Sequence, residues 1–187
     1  MKTAIASLKS SNTYSQNRNH DTPKLDRELA ADYEKRTWKN RAHINSEGYV
    51  FIPPLAFKNA LSEAAKYLGM QVSGKGKERY TKHFEAGILV LDPLVLPIHV
   101  DDLQYEEVFV PADGVRGGKK RVWKTFPVIP EWEGAVTFII VDDIIAQEVF
   151  VKHLELAGKL IGIGRWRPRN NGIYGRFDVV TVGWTEG

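Results

Sequence analysis

An α+β fold, with two helices packed on one face of an antiparallel sheet, is what this sequence predicts. Three observations predict it. Short apolar segments with period-two alternation stand at both ends and in the middle of the chain. Two longer segments, 54–68 and 147–161, carry apolar residues at helical spacing. Once the polar insertions are set aside, the order along the chain is strand, helix, strand, strand, helix, strand.

The opening "KTAIASLKS" alternates Ala4, Ala6 and Leu8 with Ile5 and its neighbours and reads as a first strand. Residues 10–46 show no clean apolar period. They read as a long excursion, part ordered and part not. "GYVFIP" at 48–53 returns as a short strand. The helix over 54–68 is the clearest element. Pro54 suits a first turn, where its missing N–H costs nothing. Phe57, Leu61, Ala64, Ala65 and Leu68 make one apolar face, and Gly69 is a natural stop.

"GILVLDPLVLPIHV" at 87–100 predicts a strand interrupted by Pro93 and Pro97. Residues 106–110 and 120–129 predict a protruding hairpin around "PADGVRGGKK", with Gly114, Gly117 and Gly118 in the turn. "GAVTFIIVDD" at 134–143 predicts a central strand. A second helix follows from Gln147 to Ile161, with Phe150, Leu154, Ala157 and Ile161 as its buried stripe. "YGRFDVVTVGW" is the last strand, with Phe177, Val179, Thr181 and Gly183 on one face. This order is that of the ferredoxin-like, RNA-recognition-type sandwich. The chain reads as one such domain, 1–187, with insertions at about 10–50, 70–86 and 101–130.

The chain is 187 residues long, 43% hydrophobic and free of cysteine. That excludes a disulfide framework and a thiolate zinc site. No apolar run approaches the roughly 20 residues of a membrane span. The N-terminus turns polar too early for a secretory signal. A cytoplasmic location is the expectation, with no membrane partner. The net charge of +3 is modest, but its distribution is not even. Residues 113–124 hold five cations against one acid, and 161–178 hold four arginines against one acid. Residues 72–85 hold four cations against two acids.

The stretch "IGIGRWRPRNNGIYGRFD" at 161–178 is too basic and too rich in glycine to fill a core. Arg165, Arg167 and Arg169 recur at every second position. In an extended segment they share one face, spaced about 7 Å apart, which matches phosphates along a single strand. Guanidinium forks suit phosphate oxygens. Trp166 and Tyr174 are placed to stack on bases, and Asn170, Asn171 and Gly172 make the turn into the last strand. The hairpin repeats the theme with Arg116, Lys119, Lys120 and Arg121. Solubilising loops are the competing reading for each of these segments.

"GYVFIPPLAFKNALSEAAKYLG" and "IGIGRWRPRNNGIYGRFDV" resemble two segments of the repeat-associated mysterious protein (RAMP) superfamily. The first is similar to its strand-proline-helix segment. The second is similar to its C-terminal loop, which ends in a "GxGR"-like turn. Together they cover about 40 of the 187 residues. Within the superfamily the likeness is greatest to the backbone subunit of CRISPR effector complexes, which polymerises along guide RNA. The resemblance implies that Lys58, Asn59, Arg165, Arg167, Arg169 and Arg176 approach guide phosphates, and that residues 111–121 match the thumb folded over the RNA. It implies subunit or target contacts for 10–46, where Arg36, Lys39 and Arg41 are candidates beside a plain solvated surface.

No catalytic constellation is legible. His20, His43, His83, His99 and His153 include no zincin-type pair. His153 reads as a hydrogen-bonded structural residue. His43 is the most exposed candidate for proton transfer, with no partner in sequence to orient it. Asp142 and Asp143 read as strand-ending, helix-capping residues. Some relatives of the superfamily cut RNA with one loop aspartate, and Asp21, Asp26 and Asp32 share only that location. "GKGK" at 74–77 lacks P-loop spacing, and no "GxSxG" elbow is present.

The resulting expectation is a non-enzymatic binder of single-stranded nucleic acid, RNA preferred, that lines up side by side along the strand as a helical filament. It needs no cofactor or metal. Its partners are the nucleic acid, further copies of itself and other effector subunits in antiviral defence. Competing expectations are a single-stranded DNA-binding protein of phage replication or recombination, a stand-alone relative that sequesters guide RNA, and a small RNA endonuclease.

Overall fold

The computed structural model describes residues 1–112 and 117–187. Its main sheet forms from four strands, β1 (Lys2–Ser10), β4 (Ile88–Leu89), β8 (Glu133–Ile140) and β9 (Phe177–Glu186), in the order β4-β8-β1-β9. Every neighbouring pair in it is antiparallel. Two helices cover one face: α2 (Pro54–Leu68) and α4 (Gln147–Leu156). This is the ferredoxin-like arrangement predicted from the element order, with the first and third strands of the motif central.

The core lies between that sheet and the two helices. Ala4, Ala6 and Leu8 from β1 meet Phe138 and Ile140 from β8 and Phe57, Leu61 and Ala64 from α2. Phe150 and Leu154 close it from α4, all fully buried. Truncating such a residue, Phe150→Ala for instance, costs about 3–5 kcal/mol. α2 begins at Pro54 and stops at Gly69, whose φ of 54° is left-handed, both as the sequence predicts. The apolar stripe of α4 continues through a turn of π-helix, Ala157–Ile161, closed by Gly162 N–H donating to Ala157 O at 2.8 Å.

Three expectations need correction. The segment 87–100 is not one interrupted strand. β4 joins the main sheet, while β5 (Leu94–His99) leaves it to pair with β3 (Tyr49–Ile52). The even alternation expected along β9 fails at a bulge. Ser7 opposes Thr181 but Leu8 opposes Val179, so Val180 is extra and the faces swap there. Phe177, Val179, Val182 and Trp184 therefore face the core, and Thr181 and Gly183 do not. Third, α4 is not capped by Asp142 or Asp143. Its N-cap is Ala146, and Asp142 instead accepts from Ile144 N–H and pairs with His83 at 2.7 Å.

The excursion 10–46 carries β2 (Tyr14–Ser15), α1 (Ala30–Thr37) and a 3₁₀ turn at Trp38–Arg41. The hairpin is β6 (Gln104–Pro111) against β7 (Arg121–Ile129), and β2 adds to its β7 side. α3 (Thr81–Ala86) follows the loop after α2. Among the described residues no helix is long and apolar enough to cross a membrane.

Candidate nucleic-acid interface

Residues 13–15 organise the site because two mobile-looking sequences bond to them from opposite sides. Tyr14 and Ser15 pair with Ile129 and Val128 of the hairpin, and Ser15 Oγ donates to Pro127 O at 2.9 Å. On the other side Arg165 N–H donates to Ser15 O and Gly175 N–H to Thr13 O, each at 2.8 Å. Gly164 makes the approach possible. A Cβ there would stand 2.3 Å from the Tyr14 ring and 2.4 Å from Ser15 O, and its φ is +78°.

The glycine loop is not the extended row expected of it. Trp166 adopts φ 52°, a left-handed conformation that is an outlier for a bulky residue. Tyr174 N–H donating to Trp166 O and Gly172 N–H donating to Arg167 O hold the bend. Pro168–Asn170 then turns as 3₁₀ helix. The bend sends Arg165 toward Glu106 of the hairpin and Arg167 and Arg169 together toward Glu63 of α2, so the predicted line of three guanidinium groups does not form.

All three of those arginines reach carboxylates of this chain, Arg165 and Arg167 closely and Arg169 at longer range. Arg165, whose side chain is 11% exposed, donates to Glu106 Oε1 at 2.6 Å and to Ser15 Oγ at 3.1 Å. Its guanidinium carbon lies 3.8 Å from the Phe126 ring centroid. Arg167 pairs with Glu63 of α2. Arg169 reaches the same carboxylate at 3.5 Å but stays 55% exposed. Tyr174, expected to stack on bases, donates its hydroxyl to Glu106 Oε2 at 2.6 Å. Burial and that carboxylate push its pKa up to about 12. The Tyr174 ring stands edge-on to Trp166 at 5.8 Å and supports it.

Lys58 bonds within the chain. Its ammonium donates to Phe84 O at 2.6 Å and Glu85 O at 2.7 Å, which ties α2 to the end of α3. Burial lowers its pKa. Arg176 donates to Lys159 O at 3.0 Å and closes the π-turn. Arg36 pairs with Glu28, Lys39 with Asp101 and Arg41 with Glu34. Of the hairpin residues, Lys119, Lys120 and Arg121 are exposed, and Arg121 also covers the Phe109 ring at 5.2 Å. Arg116 and Gly114 lie outside the described residues.

What the structure does bring together is a set of clefts that meet at Trp166, whose side is 45% exposed. One, of 510 Å³, lies between residues 17–20 and the hairpin and is lined by Arg18, His20, Lys124 and Phe126. A second, of 550 Å³, holds Asn17, His43, Asn59 and Asn170. A third, of 610 Å³, runs from Trp166 and Asn170 to Arg121 and Gly117. Asn59, Arg121, Arg165, Trp166, Arg167 and Asn170 thus line this connected surface; Lys58 and Arg176 do not.

Sequence reasoning missed Arg18, Asn17 and His20, which the fold carries to the site from an excursion without periodicity. Arg18 is exposed and, among the described residues, has no carboxylate partner. Lys124 likewise has none; its ammonium reaches Ala112 O at 3.5 Å. His43 is shifted down by burial and by Arg18. Its main-chain N–H donates to Gln16 Oε1 and its carbonyl accepts from Phe51 N–H, and among the described residues neither a hydrogen bond nor a carboxylate orients its ring. His153 is fully buried, stacked on Phe84 and bonded to Val149 O, a structural role as expected. Among the described residues no group of three His, Asp or Glu is placed to hold a metal.

No protein-family model matches the chain, and no curated protein matches it. Among solved structures it is similar to Cmr6 from Pyrococcus furiosus, with a TM-score of 0.49 and 13% identity over 96% of this chain and 99% of that one. It is also similar to a chain of a CRISPR RNA-guided surveillance complex, with a TM-score of 0.35 and 11% identity, covering 84% of this chain and 58% of that one.

Proposed function

We propose that this chain binds single-stranded nucleic acid, with RNA preferred, as a non-enzymatic subunit of a CRISPR-type effector assembly. The observation that carries the reading is the convergence of clefts on Trp166. An exposed indole offers a stacking platform. Around it stand cations with no carboxylate partner among the described residues, Arg18 and Lys124, together with Arg169 and the hairpin cations Lys119, Lys120 and Arg121. Stacking beside positive charge is the chemistry of single-strand binding.

In this reading the phosphate contacts move from the alternating arginines to these less committed cations. Arg165 and Arg167 shape the surface and neutralise Glu106 and Glu63. Several copies line up along one strand, and each covers a short stretch of it.

The test is co-purification followed by a salt titration. The ultraviolet absorbance ratio of the purified protein reports bound nucleic acid, and digestion with RNase or DNase identifies it. Labelled RNA and DNA oligomers of one sequence then measure preference. Binding should weaken steeply with salt, and Arg18→Ala and Arg169→Ala should each reduce the salt slope by about 1. Absence of any binding, or tighter binding to DNA, would overturn the reading.

A further inference from the structure

The 550 Å³ cleft has a different chemistry from its neighbours. Its two arginines, Arg165 and Arg167, are both held by carboxylates of this chain, so it offers no open guanidinium fork to a phosphate. What converges there instead is neutral. Asn17, Asn59 and Asn170 all line it. Asn12, Asn40 and Asn45 bond the chain through their side chains. The three cleft carboxamides make no such bond among the described residues. Trp166 forms an aromatic wall, and Leu55, 65% exposed, is an apolar surface in the same cleft. Burial and Arg18 keep the His43 imidazole toward its neutral form, in which it both donates and accepts.

We infer that this cleft reads a base, and that the base is adenine. The inference rests on the single-strand binding proposed above. A carboxamide presents a donor and an acceptor side by side, the complement of adenine N6 and N7. Guanine shows two acceptors on the same edge and calls for a guanidinium fork, and both forks here are occupied. Cytosine and uracil also carry donor–acceptor pairs, but a single ring covers less of the Trp166 indole. The volume is ample for one purine nucleoside. Trp166 stacks the base, Leu55 limits its far side, and Asn59 and Asn170 bond its edge. The chain is then selective at one position of an otherwise sequence-tolerant strand.

The experiment is fluorescence anisotropy on the full chain with short labelled oligoadenylate, oligouridylate and oligocytidylate RNAs at one salt concentration. Oligoadenylate should bind about tenfold more tightly than the other two, the selectivity of one good bidentate contact. In the double variant Asn59→Ala/Asn170→Ala that preference should vanish, oligoadenylate binding falling to the level of oligouridylate measured on the same variant. Both side chains are exposed, so a matching thermal melt confirms the fold. Equal affinity for the three RNAs overturns the inference and leaves nucleic-acid binding standing. So does an adenine preference that survives in the double variant. Failure of every RNA to bind removes both the inference and the reading beneath it.

Discussion

The Arg165 guanidinium lies over Phe126, its central carbon 3.8 Å from the ring centroid. The same group is bonded to Glu106 at 2.6 Å, and the Tyr174 hydroxyl completes that carboxylate's shell. The arginine is thus a bracket between the glycine loop and the hairpin.

Arg165→Ala therefore acts on stability first. It leaves Glu106, a quarter exposed, and Tyr174 without their cation, and it uncovers Phe126. The expected loss is about 1–3 kcal/mol, less than for a fully buried pair because water still reaches Glu106. Urea denaturation checks it. Arg169→Ala, by contrast, should unfold at the same urea concentration as the parent chain.

Trp166→Gly separates fold from binding. Glycine accepts φ 52° freely, so the bend survives and stability should stay within about 1 kcal/mol of the parent. The stacking surface is gone. Affinity for RNA should fall by about 1–3 kcal/mol, roughly five- to 150-fold, by anisotropy. A variant that binds at full strength would move the site away from this residue.

Lys58→Met tests the opposite assignment. The ammonium caps the carbonyls of Phe84 and Glu85 and lines none of the clefts around Trp166. Removing it should cost about 1 kcal/mol in denaturation and leave RNA affinity unchanged. Lost affinity with unchanged stability would restore the phosphate role implied by the resemblance.

Stability should fall in two stages as pH drops. Burial lowers the His153 and His43 pKa values, so the unfolded chain takes up those protons first. Stability then declines from the ordinary histidine pKa, about 6.5, downward. The second stage involves carboxylates. Burial raises Glu34, but the Arg41 fork and Thr125 N–H outweigh it and hold the pKa below its usual value. Burial likewise raises Asp142, and His83 and Ile144 N–H overcome it. Their contributions are complete above the unfolded value near 4 and are lost as pH falls through the lower folded values. Urea midpoints across pH would show both stages, and His153→Phe, which keeps the stack on Phe84, should flatten the first.

Local rules made α2 legible: Pro54, the apolar stripe and Gly69 all lie within the element they define. The stripe of α4 was legible for the same reason. The bulge at Val180 was not, because an extra residue in β9 has meaning only against β1, some 170 residues earlier. The glycine loop shows the same division. Its composition singled out residues that the fold gathers on one surface, and Trp166 and Asn170 line the same cleft. The direction of its arginines depended on Glu106 and Glu63, 59 and 104 residues distant, and no local pattern pairs them. Arg18 stayed hidden because its stretch has no periodicity, and only the fold sets it opposite Lys124.

Thr13, Tyr14 and Ser15 grip the glycine loop along one edge and the root of the hairpin along the other. They act as a pivot pin for two jaws. The gape at the root is fixed by three residues of ordinary backbone bonding, whereas reach is set by the paired lengths of β6 and β7. Evolution or an engineer can lengthen those strands without resetting the bite.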